Sequence, residues 1–264
     1  MNELPSKKKS GAESKQDSAD ILQANIYDAK SVRRLFDEMS KTYGVVNLIA
    51  SLGFTLVWRR VCIRKIRSRG HVEHIVDLLA GMGELMPNLY SHFGSIGRMQ
   101  ALDFSSQMCE GARKQATQMS FPVEVIEADI FDQVLLPNCA DVVVSSFGLK
   151  TFSKDQQAAL AKELDRVLKP GGEFSFIEIS MPNSRLLRAF YKLYINLFIP
   201  MIGKFCLGNP DNYRHLGVYT EKFKNSQNFH DELLKLGIES NYFEHFFGCA
   251  SGVFGKKQQS AKLS

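Results

Sequence analysis

The sequence lacks what metal centres and disulfide frameworks require. Its five cysteines, Cys62, Cys109, Cys139, Cys206 and Cys249, are widely scattered and form no C-x-x-C pair. An odd count without ligand spacing predicts reduced thiols and a cytoplasmic setting. Six histidines form no H-E-x-x-H or comparable set, so no metal site is expected. Long apolar runs are missing too. The longest, residues 186–205, is interrupted by Arg188, Lys192, Asn196 and Pro200, too often for a membrane-spanning helix. Residues 1–20 are polar and Lys/Ser-rich, without the apolar centre of a secretory signal. The net charge of +5 owes much to lysines in the first dozen residues, and no RNA- or DNA-binding signature is present, so nucleic acid is not an expected partner. There are no internal repeats. The single tryptophan, Trp58, is expected to anchor a core.

What is present is a chain of 264 residues, 44% hydrophobic, enough for one substantial α/β domain. It is organised around residues 75–103. Ile75-Val76-Asp77-Leu78-Leu79 reads as a buried strand, Ala80-Gly81-Met82-Gly83 as a turn, the stretch from Glu84 as a helix, and Met99-Gln100-Ala101-Leu102 as a second strand ending on Asp103. Strand, glycine turn, helix, strand and acid outline a nucleotide-binding βαβ unit. Glycines at 81 and 83 let the backbone approach a ligand closely. An acid at Asp103 suits ribose hydroxyls. Asp77 would repel a pyrophosphate but suits a ligand with a positive end. S-adenosylmethionine (SAM) carries a sulfonium and an ammonium and no phosphate, so the loop favours SAM over NAD. No Y-x-x-x-K pair placed for hydride chemistry is found, which disfavours an oxidoreductase.

Residues 1–23 are expected to be a disordered tail. Residues 24–68 form a helical cover: Val32, Leu35, Phe36 and Met39 recur at helical spacing over 30–41, and short helices follow to 66 with breaks at Gly44 and Gly53. Ser105 caps a helix running to about Met119. Strands are predicted at 123–126, at 141–145 and at 173–179. A helix over 154–168 ends at Lys169-Pro170-Gly171-Gly172. A lid-like insertion at 183–217 carries an amphipathic helix, with Arg188, Lys192 and Asn196 on one stripe and Leu187, Phe190, Tyr191, Tyr194 and Phe198 elsewhere. A helix at 229–236 and an antiparallel hairpin at 239–247 and 249–254 close the domain, which covers 69–255 before a flexible tail at 256–264. The expected fold is a Rossmann-like, mostly parallel seven-stranded sheet with helices on both faces and that hairpin at its end.

Together these segments resemble class I SAM-dependent methyltransferases, and among them the ubiquinone/menaquinone C-methyltransferase family (UbiE/COQ5-like). The resemblance rests on V-D-L-L-A-G-M-G-E-L, A-L-D-F-S-S-Q-M, S-F-G-L-K, R-V-L-K-P-G-G and Asn209-Pro210-Asp211-Asn212-Tyr213-Arg214-His215-Leu216, with Phe36-Asp37 and Tyr43 echoing an upstream motif. It runs from about Leu35 to Val253. It implies that Asp77, Gly81, Met82 and Gly83 line the methionine end of SAM. Asp103 would hold the ribose, Phe104 and Met108 flank the adenine, and Asp129 face its amino group beside Ile130. Ser146 would lie near the methyl group, and Tyr43 reach in from the cover. Three departures stand out. Leu79 replaces the usual glycine or alanine, Gly44 follows Tyr43 where an aspartate is usual, and Lys150 replaces an arginine near the acceptor. Lysine and arginine are not interchangeable where a planar fork is needed.

The implied activity is methyl transfer from SAM to a small lipophilic acceptor, first a carbon of a quinone-like, phenolic or isoprenoid compound. The alternatives are N- or O-methylation of a specialised metabolite, or a non-catalytic SAM-binding partner. For a phenolic ring a base near neutrality is useful. His215, Asp211 and Tyr213 are the candidates in that order, with Lys150 stabilising a developing oxyanion. The aromatic insertion points to an apolar substrate and leaves contact with a membrane surface open.

Overall fold

The computed structural model describes residues 26–205 and 210–259, without the side chains of 41–43, 47, 50, 196, 200, 203, 205 and 210–213. The expected tail at 1–23 lies outside the described residues. Two cover helices come first, α1 (Ala29–Ala50) and α2 (Phe54–Arg64). Then β1 (His71–Leu78), α3 (Met86–Phe93), β2 (Ser95–Asp103), α4 (Ser106–Ala116), β3 (Val123–Glu127) and β4 (Ala140–Ser146) alternate in βα fashion. The chain continues through α5 (Lys154–Val167), β5 (Leu168–Ile179), α6 (Arg185–Leu193), α7 (Ile199–Phe205), α8 (Pro210–Phe223) and α9 (Gln227–Lys235). It ends on β6 (Glu239–His245) and β7 (Ala250–Lys256). A π-helical turn, Tyr194–Phe198, joins α6 to α7.

Among the described residues the sheet has seven strands in the order β3-β2-β1-β4-β5-β7-β6. β1 to β5 pair in parallel, and β7 pairs antiparallel with β5 and β6. The chain order reverses between β1 and β4, so the ligand crevice of such a sheet opens at the carboxyl ends of these strands. Both faces are covered because the strands are apolar on both sides. Val143 packs toward α5 and α9, while its neighbours Val142 and Val144 pack toward α2, α3 and α4. This is the two-residue alternation of strand side chains.

Three local expectations change. α1 runs without a break through Gly44, whose only helical penalty is entropic, whereas Gly53 at φ 80° does end the cover's first helix. Pro170-Gly171-Gly172 does not separate a helix from a later strand. β5 starts at Leu168 and carries these residues in a register shift between Ala140 and Val142 of β4. Residues 185–205 of the insertion run as α6, the π turn and α7 rather than as one amphipathic helix. By contrast Ser105 caps α4 as expected. Its Oγ accepts from the Met108 N–H (3.2 Å) and donates to Asp37 Oδ1 of α1 (2.6 Å), which also ties the cover to the sheet.

Candidate active site

The tip of β1 is held by its neighbour. Ala80 N–H donates to the Leu102 carbonyl (2.8 Å), and Gly81 N–H to Asp103 Oδ2 (2.8 Å). The other Asp103 oxygen accepts from Ser105 N–H (2.9 Å). The loop turns with positive φ at Leu79 (63°), Gly81 (56°) and Gly83 (80°). Leucine is costly in that region, so the surrounding packing must over-determine it. Gly148 does so in part: a Cβ there would sit 2.7 Å from Leu79 Cβ and Cδ1.

Three acids meet beneath this loop. Asp77 is 1% exposed, and neither of its carboxylate oxygens has a hydrogen-bond partner. Burial, with like charge from Glu84 and Asp103, holds its carboxyl well above the usual carboxylate range, and Arg59 opposes this. Burial also raises Asp103 to about 6, against the three backbone N–H groups that favour its charged form. The cavity above is lined by Gly81, Glu84, Asp103, Phe104, Met108, Asp129, Ile130, Ser146 and Phe147, with Phe36 and Arg59 closing it from the cover. Asp129 Oδ1 accepts from the Phe131 N–H (3.0 Å) and so starts the 3₁₀ turn that carries Ile130.

A second cavity of about 490 Å³ lies beside the first. Its walls are Leu52, Phe54 and Trp58 from the cover, Leu187, Phe190, Tyr191, Tyr194 and Phe198 from the insertion, and Leu216, Gly217 and Thr220 from α8. Phe246 and Cys249 close it from the β6–β7 turn. Among the described residues, Phe147 alone lines both cavities. It sits at φ 66°, with the Arg59 guanidinium 5.2 Å from its ring centre and Trp58 against its edge at 6.4 Å. Trp58 Nε1–H donates to His245 Nδ1 (3.1 Å), which fixes the indole plane. Lys150, 3% exposed, is the cation in this apolar wall. Its Nζ donates to Glu178 Oε1 (2.7 Å) and its backbone N–H to Glu178 Oε2 (3.0 Å), and Glu178 is fully buried.

Residues 23–257 match the sequence profile of the ubiE/COQ5 methyltransferase family. The chain belongs to that family. It is 28% identical over 231 residues to a demethylmenaquinone methyltransferase of Lactiplantibacillus plantarum, covering 86% of this chain and 96% of that one. It is 30% identical over 218 residues to a demethylmenaquinone methyltransferase of Staphylococcus aureus, covering 83% and 87%. Among solved structures, a SAM-dependent methyltransferase from Thermotoga maritima shares the fold with a TM-score of 0.57 at 16% identity, covering 85% of this chain and 99% of that one.

The methyltransferase uses SAM, and its residues fit that cofactor. The unpartnered Asp77 oxygens and the neighbouring Glu84 and Asp103 form a negative floor. It suits a sulfonium and an ammonium and would repel a pyrophosphate.

The methyltransferase brings most of the sequence-predicted cofactor residues to one cavity: Gly81, Asp103, Phe104, Met108, Asp129, Ile130 and Ser146. Asp77 lies outside the lining and acts on it through charge. Met82 and Gly83 do not line the cavity. Gly111 leaves room for the Met82 side chain, which packs under α1 and α4. Gly83 is needed for its φ and because a Cβ would meet Met86 Cε at 2.7 Å. His215 is exposed on α8 and lines neither cavity, while the next residues, Leu216 and Gly217, line the second one. The side chains of Tyr43, Asp211 and Tyr213 lie outside the described residues. Arg59, Glu84 and Phe147 were missed. Only Glu84, an acid following the glycine turn, carried a local signal.

Proposed function

We propose that this methyltransferase moves the methyl group of SAM to a ring carbon of a quinone-like or phenolic acceptor with an apolar tail. One observation carries the reading: an acid-floored cavity and an apolar cavity of about 490 Å³ share a single wall residue, Phe147. The names of its relatives, demethylmenaquinone methyltransferases, support the acceptor class.

SAM supplies an activated methyl group when bound. The chain's own residues do the rest. Asp103 and Asp129 orient the nucleoside, Phe104, Met108 and Ile130 enclose its base, and Asp77 with Glu84 balances the positive end. Phe147 and Ser146 set the approach between the two cavities, and holding two reactants in line supplies several kcal/mol of the barrier. Helices α1, α2 and α6 exclude water. Lys150 has three ammonium hydrogens, one of which Glu178 takes, leaving donors for a phenolate oxygen.

The mouth of the apolar cavity supports acceptor entry from a lipid surface. The lining residues Leu52 and Phe190 are 80% and 64% exposed, and Phe247, 76% exposed, packs its ring against the lining residue Phe246. No helix among the described residues is long and apolar enough to cross a membrane. The described cysteines Cys62, Cys109, Cys139 and Cys249 are all unpaired, which supports the cytoplasmic reading.

The test is turnover. Methyl-labelled SAM and a demethylated prenyl-quinol, presented in phosphatidylglycerol vesicles, should yield labelled product and S-adenosylhomocysteine. A protein that binds SAM yet turns over neither this acceptor nor simple phenols is a binding partner, not an enzyme for this class. Replacing Leu52 and Phe247 by serine should lower turnover from vesicles but not from detergent. Equal loss in both would reject the surface contact.

A further inference from the structure

We propose that Arg59 binds the α-carboxylate of the methionyl end of SAM, making it the residue that selects a cofactor bearing a complete amino acid. The inference rests on the SAM reading and adds a ligand contact from the cover to it.

Arg59 stands on α2, away from the strand tips that supply most of the cofactor cavity. It is 6% exposed, and its guanidinium lines that cavity with Gly81, Glu84 and Phe147. Its commitments within the chain are few. Nη2 donates to Glu84 Oε1 (3.0 Å), the ring of Phe147 covers one face, and Nε is buried without any hydrogen-bond partner. A buried guanidinium that keeps an unmatched N–H is costly unless an acceptor completes it. Among the described residues Glu84 is the one carboxylate paired with it, and Asp77 acts on it through space.

The charges around it narrow the acceptor. Asp77, Glu84 and Asp103 form an acidic group that repels a simple anion such as phosphate. A ligand with positive charge alone satisfies the acids and leaves Arg59 unmatched. An amino-acid zwitterion satisfies both, its ammonium toward the acids and its carboxylate toward the planar fork of Arg59, the geometry that guanidinium favours. Because Arg59 also touches Phe147, the wall of the acceptor cavity, the same contact joins cofactor binding to the shape of the acceptor site.

Decarboxylated SAM tests this, since it keeps the nucleoside, sulfonium and amine. Calorimetric titration of the full chain should show SAM binding about 10- to 100-fold more tightly than decarboxylated SAM, the range of one charge-assisted pair. In Arg59→Met the preference should vanish or invert, because the acids then favour the ligand with the larger positive charge. Arg59→Lys should keep part of it. Equal affinity of the wild type for both ligands overturns the assignment, whatever becomes of the variants. A wild-type preference that Arg59→Met retains, with both ligands weakened alike, also overturns it and leaves Arg59 as a brace for Glu84 and Phe147. Failure of SAM itself to bind would instead count against the cofactor reading.

Discussion

The cofactor cavity and the acceptor cavity share a wall and little else. The first is built from strand tips: Gly81, Asp103, Asp129 and Ser146 sit at or just beyond the carboxyl ends of the parallel strands β1 to β4, with Asp77 beneath them. It is governed by a cluster of buried acids set against one arginine. The second is built from helices added to the sheet, and among its described lining residues there is no carboxylate and no imidazole. Recognition in the first rests on charge and hydrogen bonds held by backbone geometry. In the second it rests on apolar volume, with one buried cation. A fold that fixes the cofactor in its strand tips and leaves the acceptor to inserted helices can change acceptor without disturbing SAM.

The sharpest way to break that contrast is to remove the cation from the apolar cavity. Lys150→Met alone leaves Glu178 buried and unpaired, which costs about 3–5 kcal/mol of stability and confounds activity with folding. The double variant Lys150→Met with Glu178→Gln removes both charges and keeps an acceptor for the Lys150 and Ile179 backbone N–H groups, which limits the loss of stability. Its kcat should fall about 10²–10³-fold, the usual loss when an electrostatic stabiliser is deleted, while SAM affinity is unchanged. Lys150→Arg should restore part of the rate. If the double variant turns over normally, the acceptor develops no oxyanion in this cavity, and a nitrogen or alkene nucleophile is favoured.

The next largest effect belongs to the cofactor side. Asp103→Ala should weaken SAM about 10- to 100-fold, since charge-assisted hydrogen bonds are worth about 1.5–3 kcal/mol. Part of that loss comes from the loop, because Gly81 N–H and Ser105 N–H lose their acceptor. The pH dependence separates charge from geometry. Burial raises Asp103 in the folded protein to about 6, from the ordinary aspartate value of 3.8. The folded state therefore holds the proton more tightly than the unfolded chain, and this group's contribution to stability is present below pH 4 and lost as pH rises to about 6. Asp77, raised as well, adds in the same direction. The melting temperature of the free protein should fall across that window after correction for other groups, and saturating SAM should reduce the fall. SAM affinity should rise with pH over the same interval with proton release. A SAM affinity flat between pH 4.5 and 7 would rule out the acid floor as the basis of selection.

How much of this was legible depended on whether the signal was local. The β1-loop-β2 unit, the Ser105 cap and the closing hairpin are written in neighbouring residues, and they form as read. Gly44 and the Pro170-Gly171-Gly172 run were misread because tertiary packing overrides a local breaker: α1 is held by Asp37 and Ser105, and β5 by its pairing with β4 and β7. Arg59 carried no local mark, and Phe147 lay in the S-F-G-L-K motif without a role assigned to it. Their roles come from α2 meeting the end of β4, an encounter between residues remote in sequence. Leu79 was seen as a departure, but its partner Gly148, which gives it room, could not be.

The smallest expected effect is the most informative about reading motifs. The segment Asp211 to His215 carries part of the sequence resemblance, and His215 is its imidazole. On composition it was the natural base. Yet α8 is a helix, and consecutive residues on a helix point about 100° apart. Leu216, Gly217 and Thr220 turn toward the cavity, while His215 and Val218 are exposed. His215→Ala should therefore leave kcat and SAM affinity within about twofold, far from the 10²–10⁴-fold loss of a general base. Its pH–rate profile should superpose on that of the wild type. A hundredfold fall in kcat with an altered ascending limb would show that α8 rotates in the working complex and that the sequence had named the base correctly. It would also dissolve the contrast drawn above, since an imidazole would then face the apolar cavity.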